Sequence, residues 1–360
     1  GIATRTYAAL DRWVSWLPGG LVHANVATAT MFSATSGSSV ATAATVGTVA
    51  LPALKARGYG ARQALGSLAA GGTLGILIPP SVNLLIYGSL ANESIGQLFI
   101  AGIIPGVLLT LLFMAYIAVE SFIVPASSGG VEDTRVPLRE KLSALRHLVP
   151  PAIIFAVVMG SIYFGIATPT ESAALGVVVA LAFAAREGKL SWEFFDHCFR
   201  QTAKTTGMIL LIITAAFMLN VTLALGGIAQ TMTEWVASFG LSPAALLMAL
   251  IVFYLFLGMF MDVLSMQVLT IPVALPIVTA VGVDPIWFGI FIVLMCELGM
   301  ITPPVGMNLY VVQGVRSDGG PFRDVVLGAI PYALIMILFT ILLIMVPDIV
   351  TWLPETMRGL

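Results

Sequence analysis

Oxygen-bearing side chains and glycines gather at a few places in a chain that otherwise offers little polarity. Ser36-Gly37-Ser38-Ser39 interrupts the apolar stretch 21–54, and Gly258, Asp262 and Ser265 interrupt the apolar stretch 241–281. Each stretch is followed by an apolar run cut by paired prolines. Thr73, Gly75, Pro79-Pro80, Ser81 and Asn83 fall in the first run, and Gly299, Thr302, Pro303-Pro304, Gly306 and Asn308 in the second. Proline lacks an N–H and clashes with the preceding turn, so a helix carried into either pair must unwind. Unwinding frees carbonyl oxygens that can hold a small cation, and the N-termini of half-helices carry partial positive charge suited to an anion. Asp262 is the strongest single candidate, because a carboxylate at membrane depth is costly and functional by default. Glu297 lies beside the second cut. Glu171, in Thr168-Pro169-Thr170-Glu171, is explained by a helix start.

Bond-making chemistry finds no support. The chain has three histidines, His23, His147 and His197, no HExxH pair and no spacing that joins a nucleophile to a base, so an enzyme embedded in the membrane is a remote alternative. No Lys or Arg is expected in the membrane core. A carboxylated solute would be held by helix ends, Ser/Thr/Asn groups and a co-bound cation, which supplies a physical reason for coupling the two.

The elements that position these residues follow from composition and repetition. With 59% hydrophobic and 9% charged residues and a mean hydropathy of +1.02, the chain belongs in lipid. Its 16 basic and 18 acidic residues nearly cancel, and nothing points to nucleic acid. Cys198 and Cys296 do not suggest a disulfide. VALP at 49–52 returns at 273–276, and LGILIPPS at 74–81 returns as LGMITPPV at 298–305, a constant offset of 224 residues. Gly58 pairs with Gly282 and, after a two-residue slip, Gly102 and Pro105 with Gly328 and Pro331. Duplicated halves with Gly/Pro-interrupted apolar segments are the best sequence pointer to a secondary transporter.

Residues 21–54 are too long for one crossing of a roughly 30 Å hydrocarbon layer and too short for two. They fit two half-length helices meeting at 36–39, a re-entrant hairpin. The expected organisation is an all-α polytopic membrane protein. An N-terminal cytoplasmic-side segment covers 1–20. A first repeat over 21–123 holds the hairpin 21–54, a broken span 61–91 and a span 98–123. A middle region 124–240 has a cytoplasmic loop, spans 148–166, 170–185 and 206–225, and an interfacial helix 187–204. A second repeat over 241–346 holds a hairpin 241–281, a broken span 286–314 and a span 325–346, followed by a periplasmic tail 347–360. Taken alone, 241–281 would allow two ordinary crossings; the repeat argues for the hairpin. Loops 92–97, 167–171, 226–243 and 282–285 contain no Lys or Arg, and only Arg358 falls on their side of the membrane. By the positive-inside rule the opposite face, with Arg5, Arg135, Lys204 and the other basic residues, is cytoplasmic. Five crossings then separate the hairpins, an odd number, so the repeats are inverted. The start at Gly-Ile-Ala reads as a segment of a longer protein whose earlier spans are missing.

At these motifs the chain resembles a known family. GSSVATAATVG (37–47), LPALKARGY (51–59), GGTLGILIPPS (71–81), ESIGQLFIAGIIPG (93–106), TPTESAALG (168–176), DPIWFGI (284–290) and LGMITPPVGMNLYVV (298–312) are similar to the large membrane subunit, DctM-like, of the tripartite ATP-independent periplasmic (TRAP) transporters. The likeness runs in order over essentially the whole chain. It implies an elevator-type, sodium-driven importer of carboxylates such as C4-dicarboxylates, keto acids and sugar acids, resident in the bacterial inner membrane. It also implies a small membrane subunit and a periplasmic substrate-binding protein as partners, with sodium as the coupling ion and no other cofactor. Carried over residue by residue, the sodium sites are Ser36, Gly37, Ser38, Ser39, Gly75 and Pro79, and Gly258, Asp262, Thr302 and Pro303. Ser81, Asn83, Ser265, Gly299, Gly306 and Asn308 are left for the solute. A stand-alone sodium-coupled carboxylate symporter is the alternative; a channel or a scaffold suits duplicated broken helices less well.

Overall fold

The computed structural model describes residues 2–124 and 137–358, and the described residues form seventeen helices and no strand. Polar punctuation in an apolar chain sets the breaks. Helix α2 (Leu21–Ser36) stops where Gly37 takes φ +60° and its N–H bonds back to Ser33 O. Ser38 then turns extended, and its hydroxyl accepts from Ala41 N to start α3 (Ser39–Ala56). Helix α4 (Ala61–Thr73) gives way to a non-helical stretch through Pro79-Pro80, a cis peptide, until Ser81 caps α5 (Val82–Ala91) by accepting from Leu84 N at 3.3 Å.

The later part of the chain repeats this grammar. Helix α12 (Pro243–Gly258) and α13 (Val263–Ala280) meet at a short turn whose last residue, Asp262, caps α13. Helix α14 (Pro285–Met300) ends ahead of Pro303-Pro304, also cis, and Gly306 at φ +40° leads into α15 (Met307–Val315). Long apolar helices follow each unit, α6 (Ile95–Ile123) and α16 (Phe322–Met345).

Six described helices are long and apolar enough to cross a membrane, including α3, α6, α13 and α16, so the protein is polytopic. The other two are α9 (Pro169–Arg186) and α10 (Trp192–Leu225). A further pair, α7 (Leu138–Leu145) and α8 (Val149–Tyr163), passes the same test across a 47° bend. Helix α14 is the hub: every residue from Ile286 to Met300 is buried, and it packs on α12, α13, α5, α6 and α16. Helix α10 is the opposite case, with Ala216 its one buried residue and Leu211, Met218 and Leu225 exposed, as a lipid-facing helix requires.

Several expectations are corrected. An interfacial helix at 187–204 and a separate span at 206–225 are instead one helix, α10. Nothing between Arg200 and Thr206 stops a helix, and at about 50 Å it outruns the hydrocarbon, so its polar first turns project beyond it. The loop 226–243 contains α11 (Ile228–Ala237), and the terminal segments carry α1 (Ile2–Val14) and α17 (Asp348–Arg358). Helix α1 is tied down by Tyr7 Oη donating to Asn25 Oδ1 at 3.0 Å and by Trp13 Nε1 donating to Lys141 O at 2.9 Å. Arg135, part of the expected basic loop, lies outside the described residues.

Glycine lets the two units touch. A Cβ on Gly66 of α4 would stand 2.1 Å from Gly328 O of α16. Nearby, Arg62 Nε pairs with Asp324 Oδ1 at 3.4 Å, and Arg316 Nη2 with Asp324 Oδ2 at 3.3 Å.

Candidate functional site

Each hairpin tip lies against the interrupted stretch of its own unit, backbone on backbone. A Cβ on Gly37 would sit 2.7 Å from Pro80 O, and one on Gly75 would sit 2.8 Å from Ser38 O and 2.9 Å from Ser39 N. Glycine is required at both, since a side chain would push tip and cut apart. Ser36 Oγ lies 2.9 Å from Thr42 Oγ1 and accepts from Ser38 N at 3.5 Å. Ser39 Oγ donates to Gly72 O at 2.9 Å. Thr73 Oγ1 donates to Ala70 O, and Ser81 Oγ to Ile76 O. The first set of candidates thus comes together, with one adjustment. Pro80 meets the tip, whereas Pro79 packs toward α6, where a Cβ on Gly102 would stand 3.7 Å from Pro79 Cδ and 2.7 Å from Leu77 O.

At the second tip a Cβ on Gly299 would lie 2.8 Å from Gly258 Cα, and the reverse distance is 2.7 Å. Met259 O accepts from Val305 N at 3.1 Å, joining tip to cut. Asp262 Oδ2 accepts from Leu264 N at 3.0 Å and Ser265 N at 3.2 Å, while Ser265 Oγ donates to Oδ1. Thr302 Oγ1 donates to Leu298 O at 2.6 Å. Gly258, Asp262, Gly299 and Gly306 surround a cavity of about 10 Å³, about the room one water-sized species occupies. Pro303 lies in the same interruption.

A larger cavity, about 520 Å³, opens beside the first tip, between Ser36, Gly37 and Ser81 on one side and Val158, Thr170 and Gly176 of α8 and α9 on the other. Its size suits a small organic molecule. Among the solute candidates only Ser81 lines it. Asn83 is buried, Ser265 is spent on Asp262, and Gly299 and Gly306 belong to the small cavity. Asn308 is fully buried and bonded to Ser39 and Ala69, so it offers no surface to a solute.

Two polar groups outside the candidate sets are sealed into the same region. Glu297 is wholly buried with both carboxyl oxygens unpaired; the Leu77 amide of the first interruption faces it but misses hydrogen-bonding geometry. Gln267, on α13, is fully buried with both amide atoms unpaired, alongside the Cys296 thiol. Proximity to a proline pair marks Glu297 in the sequence, but nothing marks Gln267.

Relatives place the geometry in context. The family of the DctM component of tripartite ATP-independent periplasmic transporters matches residues 1–349. The chain is 36% identical to the C4-dicarboxylate TRAP transporter large permease protein DctM of Pseudomonas aeruginosa, over 99% of this chain and 82% of that protein. It is 31% identical to the sialic acid TRAP transporter large permease protein SiaM of Vibrio cholerae, over 100% and 83% of the two chains. With the 2,3-diketo-L-gulonate TRAP transporter large permease protein YiaN of Escherichia coli the identity is 28%, over 97% and 81%. These relatives are named as permeases, and their named cargoes are organic acids.

Proposed function

The chain belongs to the DctM family of TRAP transporter large permeases, and from that premise we propose that it carries small carboxylates across the inner membrane, coupled to sodium. The observation that carries this reading is the doubled arrangement of a hairpin tip against a proline-cut span, with glycine contacts at both. Carbonyls released at the cuts, the Asp262 carboxylate and the serines at 36–39 supply oxygen ligands for one cation at each tip. The solute then sits against Ser81 and the first tip, in the cavity walled by α8 and α9.

In this reading the two units are inverted relative to each other, and they shuttle as a body past the remaining helices in an elevator cycle, with the C-terminus on the periplasmic side. The distribution of Lys and Arg along the sequence supports that orientation. A small membrane subunit and a periplasmic binding protein complete the transporter, the latter delivering the solute.

The test is uptake into proteoliposomes holding the chain with its small subunit, using labelled C4-dicarboxylates, keto acids and sugar acids. Uptake should need both an inward sodium gradient and the soluble binding protein. Uptake without the binding protein would favour the stand-alone symporter, and indifference to sodium would overturn the coupling.

A further inference from the structure

The trailing half-helices of the two cut spans exchange partners. Helix α5, from the first unit, packs on α13 of the second, and α15, from the second, packs on α3 and α4 of the first. Among the described residues two side chains of these half-helices cross to the other unit with hydrogen bonds: Tyr87 Oη of α5 donates to Pro285 O at 2.6 Å, far from either tip, and Asn308 of α15 reaches the first tip. Asn308 Nδ2 donates to Ser39 Oγ at 2.7 Å and to Ala69 O at 3.2 Å, and Ser39 Oγ in turn donates to Gly72 O at 2.9 Å. The whole side chain is buried, and its Oδ1 has no partner.

Both ends of this link adjoin an interruption. Asn308 is the second residue of α15, two positions after Gly306, whose Cβ would stand 3.1 Å from Thr302 O. Ser39 opens α3, directly after Ser38, whose backbone abuts Gly75. A displacement of either tip therefore pulls on the Asn308–Ser39 bond. Breaking it would leave one hydrogen of the Asn308 amide without an acceptor away from water, while the bonds to Ala69 O and Gly72 O remain, and a buried donor left unpaired costs more than a bond exchanged with solvent. Among the described residues no such link reaches the second hairpin tip. Asn83 is likewise the second residue of its half-helix, α5, but the first residue of α13 is Val263, which has no hydroxyl.

We propose that Asn308 is a positioning residue that couples the two cation sites, so that occupancy at one hairpin tip raises affinity at the other. This rests on the reading that sodium binds at both tips. Two sites joined by one bistable contact favour the same state together, and the coupling is reciprocal.

The test is a sodium chloride titration, balanced with choline chloride, of the purified transporter, read as a binding isotherm by its intrinsic tryptophan fluorescence. Wild type should respond sigmoidally, with a Hill slope of about 2, while Asn308→Ala should respond with a slope of about 1 and a half-saturating concentration roughly ten-fold higher. Asn308→Leu keeps the side-chain volume and the helix but has no hydrogen-bonding atoms, so it secures the measurement should Asn308→Ala fold poorly. It should give the same flattened curve. A sigmoidal response that survives in Asn308→Leu or Asn308→Ala, or a wild-type response that is already hyperbolic, would overturn the coupling while leaving sodium binding intact. A wild-type protein blind to sodium would instead remove the cation reading beneath it, and the coupling with it.

Discussion

Gly299→Ala is the sharpest probe of the second tip. The new methyl would stand 2.8 Å from Gly258 Cα and 3.1 Å from Gly258 O. Carbon atoms rest at about 3.5 Å or more, so α12 and α14 must part by roughly 0.7 Å, enough to forfeit a quarter to a half of the attraction at each contact opened. Backbone has no rotamer to yield, unlike a flexible side chain. Overpacking of this kind costs about 1–3 kcal/mol, which lowers the melting temperature of the detergent-purified protein by roughly 2 °C per kcal/mol. Gly314→Ala is the control, because in the last turn of α15 its Cβ would meet open space, and the change should be neutral or slightly stabilising. Gly299 also borders the small cavity beside Asp262, so the sodium-induced rise in melting temperature should disappear in Gly299→Ala and persist in Gly314→Ala. Equal melting of Gly299→Ala and wild type would refute the tight contact. A retained sodium response would refute the placement of the cation.

Asp262 can be separated into a cap and a charge. Asp262→Ala should cost about 0.5–2 kcal/mol through loss of the cap to Leu264 N and Ser265 N, whereas Asp262→Asn should keep the cap; if the carboxylate holds a cation, thermal scans should show both variants losing the sodium response and only Ala losing stability. At the loop after α15, the Arg316 hydrogen bond holds the Asp318 carboxyl below the usual carboxylate range. That contribution is complete above about pH 4, the value of the unfolded chain, and fades as pH falls through the lowered value. Melting of Asp318→Asn should therefore track wild type on further acidification less steeply, with a constant offset from pH 5 to 8; a parallel acid limb in the two proteins would contradict the pairing.

Much of this architecture was legible because proline and glycine act locally. Pro79-Pro80 and Pro303-Pro304 have no N–H to offer a helix, and Gly37 between serines invites a left-handed turn, so the interruptions could be placed without any knowledge of packing. Helix α10 defeated the same reasoning, since a change from charged to apolar residues shifts the environment of a helix without ending it. The exchange of α5 and α15 between units was invisible, because both are short apolar helices whose partners lie far off in sequence. Asn308 shows the limit for site residues: an asparagine after a proline pair reads as a ligand for solute, and only its neighbours Ser39 and Ala69 show it turned inward. Glu297 drew notice through its chemistry, while its facing amide, Leu77, belongs to the other unit.

The crossed placement of α5 and α15 also bears on how the protein is made. Helix α3 emerges from the ribosome some 250 residues before α15, which packs on it, so Ser39 holds only its bond to Gly72 O, without the Asn308 amide, through the insertion of every intervening span. The early half matures only when the late half arrives, and a chain cut short before residue 307 leaves its first hairpin half-dressed in the bilayer, a ready target for membrane quality control.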